Sequence, residues 1–346
     1  MRTATFRRAA GLAVALTLAV GAARAEPERQ VRIAGSLYLG DLPTVLADQR
    51  GFFAAQRLRA AVEYNLSGKR SLARLRAGET DFALMAPTPV VLDRLADPDP
   101  GGPDDPVILA SLAHSTELTQ IVALGGAGIE RPADLRGRRI AINRGTSTEF
   151  VWWLFEQYHD IDRLSVELVS MTFPEMPDAL IAGRVDAVVL LEPWLARLGD
   201  RLDRVAGPPL RRFHVEDLYT GKWILVTTPR IARERRGLCI DVLTAYRQAI
   251  EFIESAPAEA ITAYNDWAQP AERIRVDPRQ TLDYDLNLDW ALIAVLQQQF
   301  QWARSVGYEN VGGPVHVLEL VEPGPLHDFR PGAVGIPVDP ARGGAS

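Results

Sequence analysis

The chain has 346 residues, of which 47% are hydrophobic and 24% are charged, and its net charge is −6. This length is enough for two domains with a sizeable buried core, and the composition is typical of globular proteins. The acidic balance argues against nucleic acid and anionic membrane surfaces as binding partners.

The first predicted element is an export signal over residues 1–25. Three arginines open the segment, residues 9–21 carry no charge, and small residues lead to a cleavage site near Ala25. The apolar run is shorter than the ~20 residues that span a bilayer, so no stable membrane anchor is expected. We therefore predict a periplasmic protein whose mature chain begins near Glu26. An adjacent arginine pair leaves twin-arginine export open beside the Sec route.

Short strands then alternate with helices along the first third of the chain. Apolar runs bounded by turn residues predict strands over 31–37, 60–66 and 82–85. Helix start and stop residues predict helices over 43–49, 71–77 and 88–95. A loop rich in Pro, Gly and Asp follows, and further strands are predicted over 107–112 and 120–124.

The same series recurs in the middle of the chain, with strands over 139–142, 166–169 and 187–190 and helices over 147–158, 176–182 and 194–198. A strand over 223–227 then precedes a mainly helical stretch to about residue 306. In each series a Gly-x-x-Asp segment, beginning at Gly78 and at Gly183, ends a helix before the third strand. This repeat predicts two open parallel sheets, and so two α/β lobes with a cleft at the carboxyl ends of their strands.

Five short motifs in a fixed order carry a family resemblance. They are Pro43, Ala47 and residues 51–53; Leu75, Gly78 and residues 81–83; residues 132–141; residues 145–147; and Ala179, Leu180, Gly183, Asp186, Ala187 and residues 192–194. Behind an export signal, they resemble the periplasmic substrate-binding proteins of the sulfonate, nitrate, taurine and thiamine-precursor uptake systems. The resemblance covers about residues 31–310.

The resemblance implies the type II periplasmic binding protein fold, in which two α/β lobes are joined by two crossover strands with a ligand cleft between them. Lobe 1 is expected to hold residues 26–114 and 214–330, and lobe 2 residues 115–213. Residues 331–346, rich in Pro, Gly and Ala, are expected to form a flexible tail. The implied role is an extracytoplasmic receptor, expected to be a monomer, that closes on a small solute. It would deliver that solute to an ABC permease driven by a cytoplasmic ATPase.

Loops that follow the strands of lobe 1 supply the first candidate ligand-binding residues. They are Tyr38, Asp41, Ser67, Lys69, Arg70 and Thr88. Tyr38 would stack on the solute or pack in a surface turn, and Asp41 suits N–H donors. Ser67 predicts a helix N-cap with outward amides, beside two cations that neutralise an anion or stay solvated. Thr88 would bind the solute or cap a helix.

Lobe 2 contributes a turn between a predicted strand and a helix, consisting of Arg144, Gly145, Thr146, Ser147 and Thr148. Gly145 permits close backbone approach, and the hydroxyls lie beside free helix-start amides. This turn resembles the family's ligand-binding turn. Trp194 is expected to form an aromatic wall, and Glu192 would bind a solute N–H or hold its own loop.

Residues at the predicted passages between the lobes complete the candidate set. They are His114, Thr116, Lys222 and Trp223. His114 and Thr116 are placed within reach of the solute, although a lone histidine such as His114 more often makes a structural hydrogen bond. The cations favour an anionic head group, and the aromatic residues favour an apolar body, so we predict a small organic anion resembling a sulfonate or carboxylate. Neutral pyrimidine-like rings remain open.

Catalytic and metal-binding motifs are not found in the sequence. It has no Gly-x-Ser-x-Gly elbow, no Cys-x-x-Cys pair and no phosphate loop, and its five histidines lack metal-ligand spacing. The single cysteine, Cys239, fits a small core filler. We therefore predict no enzyme activity, no cofactor and no metal. Two alternatives remain, an enzyme on the same fold and a solute sensor that signals to a membrane kinase.

Overall fold

A computed structural model describes residues 28–213, 215, 218–268, 279 and 282–338. The expected export signal over 1–25 and the last part of the expected tail, 339–346, lie outside these residues. Within the described part, two β-sheets carry packed helices. No helix of that part is both long enough and apolar enough to cross a membrane.

The strands divide between the two sheets. The first sheet contains β1 (Arg29–Ser36), β2 (Leu58–Asn65), β3 (Phe82–Met85), β4 (Val107–Ser115), β10 (Gly221–Thr227) and β11 (Asp283–Asn287). The second sheet contains β5 (Thr119–Leu124), β6 (Arg139–Ile142), β7 (Glu167–Ser170), β8 (Ala187–Leu191) and β9 (Leu210–Phe213). Their spatial orders are β11-β4-β10-β3-β1-β2 and β7-β6-β8-β5-β9.

The helices follow the same division. The first sheet packs with α1 (Leu42–Gln49), α2 (Phe52–Ala55), α3 (Gly68–Arg76), α4 (Thr88–Ala96), α8 (Pro229–Glu234), α9 (Arg236–Ser255), α10 (Pro257–Trp267), α11 (Trp290–Ser305) and α12 (Gly324–Phe329). The second packs with α5 (Ser147–Tyr158), α6 (Met176–Ile181) and α7 (Trp194–Arg204). Below, lobe 1 denotes the first sheet with its helices, and lobe 2 the second sheet with its helices.

Both sheets are mixed, whereas the alternation of strands and helices predicted parallel sheets. β1 pairs in parallel with β2 and β3, and β6 with β7 and β8. β10 and β5, however, run antiparallel to their neighbours. The chain leaves β4 of the first sheet for β5 of the second and returns from β9 to β10, and these passages reverse the strand direction.

Two strands, β9 and β11, were not predicted from the sequence. Each lies at the edge of its sheet. β11 alternates buried and partly exposed residues, and β9 carries two exposed arginines between its apolar ends. An edge strand needs few apolar residues because it is covered less fully by its neighbours, so several of its side chains stay in solvent. Such segments therefore lack the continuous apolar run by which the central strands were found.

The Gly-x-x-Asp segments form the same clamp in both lobes. Asp81 Oδ2 accepts the backbone amide of Arg32 at 2.8 Å, and Arg32 donates to the Gly78 carbonyl at 3.0 Å. In lobe 2, Asp186 Oδ2 accepts the amide of Arg139 at 2.8 Å, and that arginine donates to the Gly183 carbonyl at 2.8 Å. Each aspartate precedes a central strand and ties its amino end to the neighbouring parallel strand.

Part of the expected flexible tail is packed against lobe 1. Residues 331–333 form a 3-10 turn, and Val334 bridges to Leu288. The Leu288 amide donates to the Ala333 carbonyl at 2.9 Å, and Ile336 is buried. The Pro- and Gly-rich composition therefore reflects a coil that docks through a single bridge, which a strand or helix pattern does not reveal.

Candidate functional site

A small cavity lies where strand ends of the two lobes face each other. Lobe 1 lines it with Tyr38, Gly68, Ala86, Pro89 and Trp223, and lobe 2 with Thr146, Ser147, Phe173 and Leu191. About 20 Å³ is open to a water-sized sphere, enough for about one water molecule. Larger depressions of about 490, 280 and 490 Å³ lie on lobe 1 alone. We take the smaller cavity as the candidate site because the carboxyl ends of parallel strands from both lobes meet there.

Aromatic rings form much of the cavity wall. The ring of Tyr38, in the loop after β1, contacts Trp223 edge-on at 5.4 Å and Phe173 of lobe 2 at 5.8 Å between centroids. Its hydroxyl donates to the Leu66 carbonyl at 2.6 Å, so the ring rather than the hydroxyl faces the cavity. Gly40 lies against the indole of Trp223, since a Cβ there would come within 2.8 Å of the ring. That contact fixes the orientation of the indole.

Two buried polar atoms on the lobe 1 side have no hydrogen-bond partner within the described residues. They are the indole nitrogen of Trp223 and the hydroxyl of Thr88. Thr88 is the first residue of α4, after the N-cap Pro87, and lies in sequence between the cavity-lining residues Ala86 and Pro89. Unpartnered buried polar groups cost free energy. Trp223 lines the cavity and Thr88 adjoins two lining residues in sequence, which makes both groups candidates for contact with a bound molecule.

Two helices begin at the edge of the cavity. Ser67 caps α3 by accepting the amide of Arg70 at 3.4 Å, and Thr146 caps α5 by accepting the amide of Thr148 at 3.4 Å. The first amides of each helix have no partner within the helix and lie at its positive dipole end. Gly68 is required at the start of α3 because a Cβ would come within 2.6 Å of the Met85 side chain. This edge of the cavity therefore favours a group that accepts hydrogen bonds.

The turn between β6 and α5 is shaped by its own hydroxyls. Gly145 has φ +73°, in the left-handed region that favours glycine. The Thr146 hydroxyl donates to the Asn143 carbonyl at 2.7 Å, and the Thr148 hydroxyl accepts the Asn143 amide at 3.2 Å. Two hydroxyls predicted to bind solute thus hold the turn, and Ser147 is placed at the cavity.

The predicted cations at the cleft have protein partners or lie in solvent. Lys69 Nζ donates across the cleft to the backbone carbonyl of Arg144, and burial lowers the pKa of this lysine. The Arg144 guanidinium lies 3.7 Å from the carboxylate of Glu149. Arg70 is exposed. None of these three side chains lines the cavity, although Lys69 lies 3.2 Å from the position of a Cβ on Gly145.

Three further predicted residues are buried and face protein partners away from the cavity. Asp41 accepts from the Ser36 amide and the Thr44 hydroxyl, and burial raises its pKa to about 8. Lys222 forms an ion pair of 3.2 Å with Asp289. Trp194 is buried beneath the Arg197 guanidinium, 3.9 Å from the ring centre.

The remaining predicted residues also lie outside the cavity lining. Glu192 accepts the Ala196 amide at 3.1 Å, and burial raises its pKa, so its carboxyl holds the start of α7. His114 lies 3.5 Å from Asp283 on the neighbouring strand β11. Thr116 is exposed in the passage between the sheets.

Several residues of the site were not found from the sequence. Phe173 follows β7 and Leu191 ends β8, both positions that the strand-end rule includes. Glu149 was also missed, although Thr146 and Glu149 have the Thr-x-x-Glu spacing of a capping box. Its carboxylate accepts the Gly145 amide at 2.8 Å and so braces the turn.

A family model described as NMT1/THI5 like matches residues 41–260, more than half of the chain. The chain belongs to this family. Comparison with curated proteins found no match. The match confirms the family to which the sequence motifs pointed.

Solved structures confirm the fold of this NMT1/THI5-like chain. It is similar to the alkanesulfonate-binding protein SsuA from Xanthomonas axonopodis pv. citri bound to MOPS, with 20% identity, a TM-score of 0.70 and coverage of 86% of this chain and 99% of that one. It is also similar to the periplasmic aliphatic sulphonate binding protein SsuA from Escherichia coli, with 16% identity, a TM-score of 0.71 and coverage of 86% of this chain and 92% of that one. A third similar structure is the desulfurization enzyme DSZB, with 15% identity, a TM-score of 0.60 and coverage of 87% of this chain and 98% of that one. The shared fold is that of the periplasmic binding proteins.

Proposed function

We propose that this protein is an extracytoplasmic receptor that binds a small organic solute between its lobes and delivers it unchanged to an ABC importer. The observation that carries the proposal is the cavity at the strand ends, to which both lobes contribute side chains. A solute held by both lobes favours the closed arrangement by its differential affinity for that state. Family membership and the fold shared with sulfonate-binding proteins support the same role.

The solute is proposed to have a hydrogen-bond-accepting head and an apolar body. Rings and aliphatic side chains dominate the lining, and the nine lining residues include no carboxylate. Hydrogen-bond donors lie at the edge of the cavity: the first amides of α3 and α5, and the indole nitrogen of the lining residue Trp223, which has no partner among the described residues. A sulfonate or carboxylate satisfies such donors, whereas an ammonium group does not.

Export and delivery complete the proposal. The basic, apolar and small-residue order of residues 1–25 supports a cleaved signal and a periplasmic location. The proposed partners are a membrane permease and its cytoplasmic ATPase, and the receptor would act as a monomer. If the receptor instead serves a sensor kinase, crosslinking in membranes would capture that kinase rather than a permease.

Binding without turnover is proposed over catalysis. The Cys239 thiol is buried in α9, and burial raises its pKa to about 12, which removes its thiolate at neutral pH. The hydroxyls of Thr146 and Ser147 at the cavity have no histidine among the lining residues to act as a base. The likeness to DSZB concerns the fold.

Calorimetry and thermal unfolding test the proposal on protein lacking residues 1–25. The panel contains alkyl and aryl sulfonates, matched carboxylates, the corresponding alkylamines and pyrimidines. At a concentration of about 100 Kd, a true solute should stabilise the protein by about 2.7 kcal/mol. We expect binding by an anionic class and none by the amines. Absence of binding across the panel, or a mass change in the bound compound, would refute the proposal.

A further inference from the structure

Glu149 is a buried carboxylate that does not line the cavity. Glu149 is 2% exposed and lies in the first turn of α5, two residues after the cavity-lining Ser147. A carboxylate in such a place requires hydrogen-bond donors, because an uncompensated buried charge is strongly destabilising. The donors that it has come from both lobes.

One oxygen of Glu149 joins the lobes. Oε2 accepts the Gly145 amide of its own lobe at 2.8 Å and the Tyr308 hydroxyl of lobe 1 at 2.8 Å. Burial and the neighbouring Glu149 raise the pKa of Tyr308, so the phenol remains a donor at neutral pH. The Arg144 guanidinium lies 3.7 Å from Oε1. Bonds to an ionised acceptor are stronger than those between neutral groups.

Lobe 1 makes two further contacts with the turn before α5 and with the start of that helix. Lys69 donates to the carbonyl of Arg144, next to Gly145. The following residue of α5, Phe150, packs against Trp302 of α11 with 5.4 Å between ring centroids. Lobe 1 thus contacts the start of α5 and its preceding turn through three side chains, those of Lys69, Tyr308 and Trp302.

We propose that Glu149 and Tyr308 form a latch between the lobes that sets the turn 145–147 into the cavity wall when the lobes are closed. Glu149 is a positioning residue, since its oxygens face protein donors and the cavity is lined by its neighbours. The latch rests on the proposed function, because it gives a purpose to closure only if a solute binds between the lobes. Through the latch, closure of the lobes fixes the conformation of the turn 145–147, which lobe 2 contributes to the cavity wall.

Distances between the lobes test the latch without any solute. In a Cys239→Ala background, Leu164→Cys in lobe 2 and Glu254→Cys in lobe 1 place spin labels at exposed positions for pulsed electron resonance. Tyr308→Phe should lower the ratio of short to long distances by about tenfold, the effect of losing one bond to a charged acceptor. The matched control is Tyr158→Phe, the same change at an exposed tyrosine that ends α5, and it should leave the ratio unchanged.

Hydrogen exchange over residues 143–150 gives a second readout. Tyr308→Phe should accelerate exchange there while the exchange of β1 and β6 is unchanged, which a general loss of folding would not produce. Unchanged distances in Tyr308→Phe, or a wild-type protein without a short-distance population, would overturn the latch. Failure of the whole solute panel with an intact effect of Tyr308→Phe would instead refute only the proposed function.

Discussion

Replacing Thr88 by Val removes a buried hydroxyl while nearly keeping the shape of the side chain. That hydroxyl has no hydrogen-bond partner in the part of the chain that is described, and its residue starts α4 between the lining residues Ala86 and Pro89 in sequence. An unpartnered buried hydroxyl costs ~1–3 kcal/mol relative to a satisfied one. Thr88→Val should therefore raise the free energy of unfolding by about 1 kcal/mol.

The same substitution should weaken solute binding. If the hydroxyl bonds to the bound solute, its loss removes a hydrogen bond of ~0.5–1.5 kcal/mol, or up to about tenfold in Kd. Urea denaturation and calorimetry with the tightest-binding panel compound measure the two effects on one preparation. A variant that becomes more stable but binds less well would mark a group kept for recognition rather than for folding.

Thr80→Val is the matched control. The Thr80 hydroxyl is also buried without a partner among the described residues, but it precedes β3 at the opposite end of the strand. This variant should gain similar stability with unchanged affinity. A loss of more than about 1 kcal/mol in Thr88→Val would show that its hydroxyl has a stabilising partner, and unchanged affinity would show that it does not contact the solute.

The remaining predictions concern one clamp, one buried acid and one glycine. Asp186→Asn should lower the free energy of unfolding by about 2 kcal/mol near pH 7. Hydrogen bonds from Arg139 lower the pKa of Asp186, so this stabilisation exists above about pH 4 and is lost as pH falls through the folded-state pKa. If the free energy of unfolding, measured by denaturant titration, depends on pH equally in both proteins, this reasoning is wrong. Burial raises the pKa of Asp41 to about 8, so the wild-type free energy of unfolding should decline as pH rises from about 4 toward 8. Asp41→Asn should abolish this decline. A decline that persists in the variant would exclude Asp41 as its cause. Gly68→Ala should cost ~1–3 kcal/mol and weaken solute binding, because its Cβ would meet Met85 at 2.6 Å. Gly199→Ala in α7, with nothing within 4 Å, should instead stabilise slightly in thermal melts, and similar melting shifts for the two alanines would argue against the clash.

The central strands were predictable because their physical causes are local. Apolar runs such as those of β3 and β8 are buried along their whole length, and glycines such as Gly78 stop the preceding helices. The direction of β5 and β10 was not predictable, because it depends on how the chain passes between the sheets. No local pattern records that passage.

The site was predictable only in part, and the reason is competition for polar groups. The strand-end rule placed Tyr38 and Ser147 at the cavity, and the expected passage between the lobes added Trp223; all three line it. The same reasoning included Asp41 and Lys222, whose side chains face Thr44 and Asp289 instead. Lys222 and its partner are 67 residues apart, and such pairings arise from tertiary packing.

The two Arg–Asp clamps and the cavity lie at opposite ends of the same strands. Asp81 and Asp186 stand before the amino ends of β3 and β8, whereas Ala86 and Leu191 mark their carboxyl ends at the cavity. The residues that line the cavity are therefore separate from those that form the clamps. Under the proposed function, substitutions that change the bound solute can accumulate at the cavity without touching the clamps that hold each sheet.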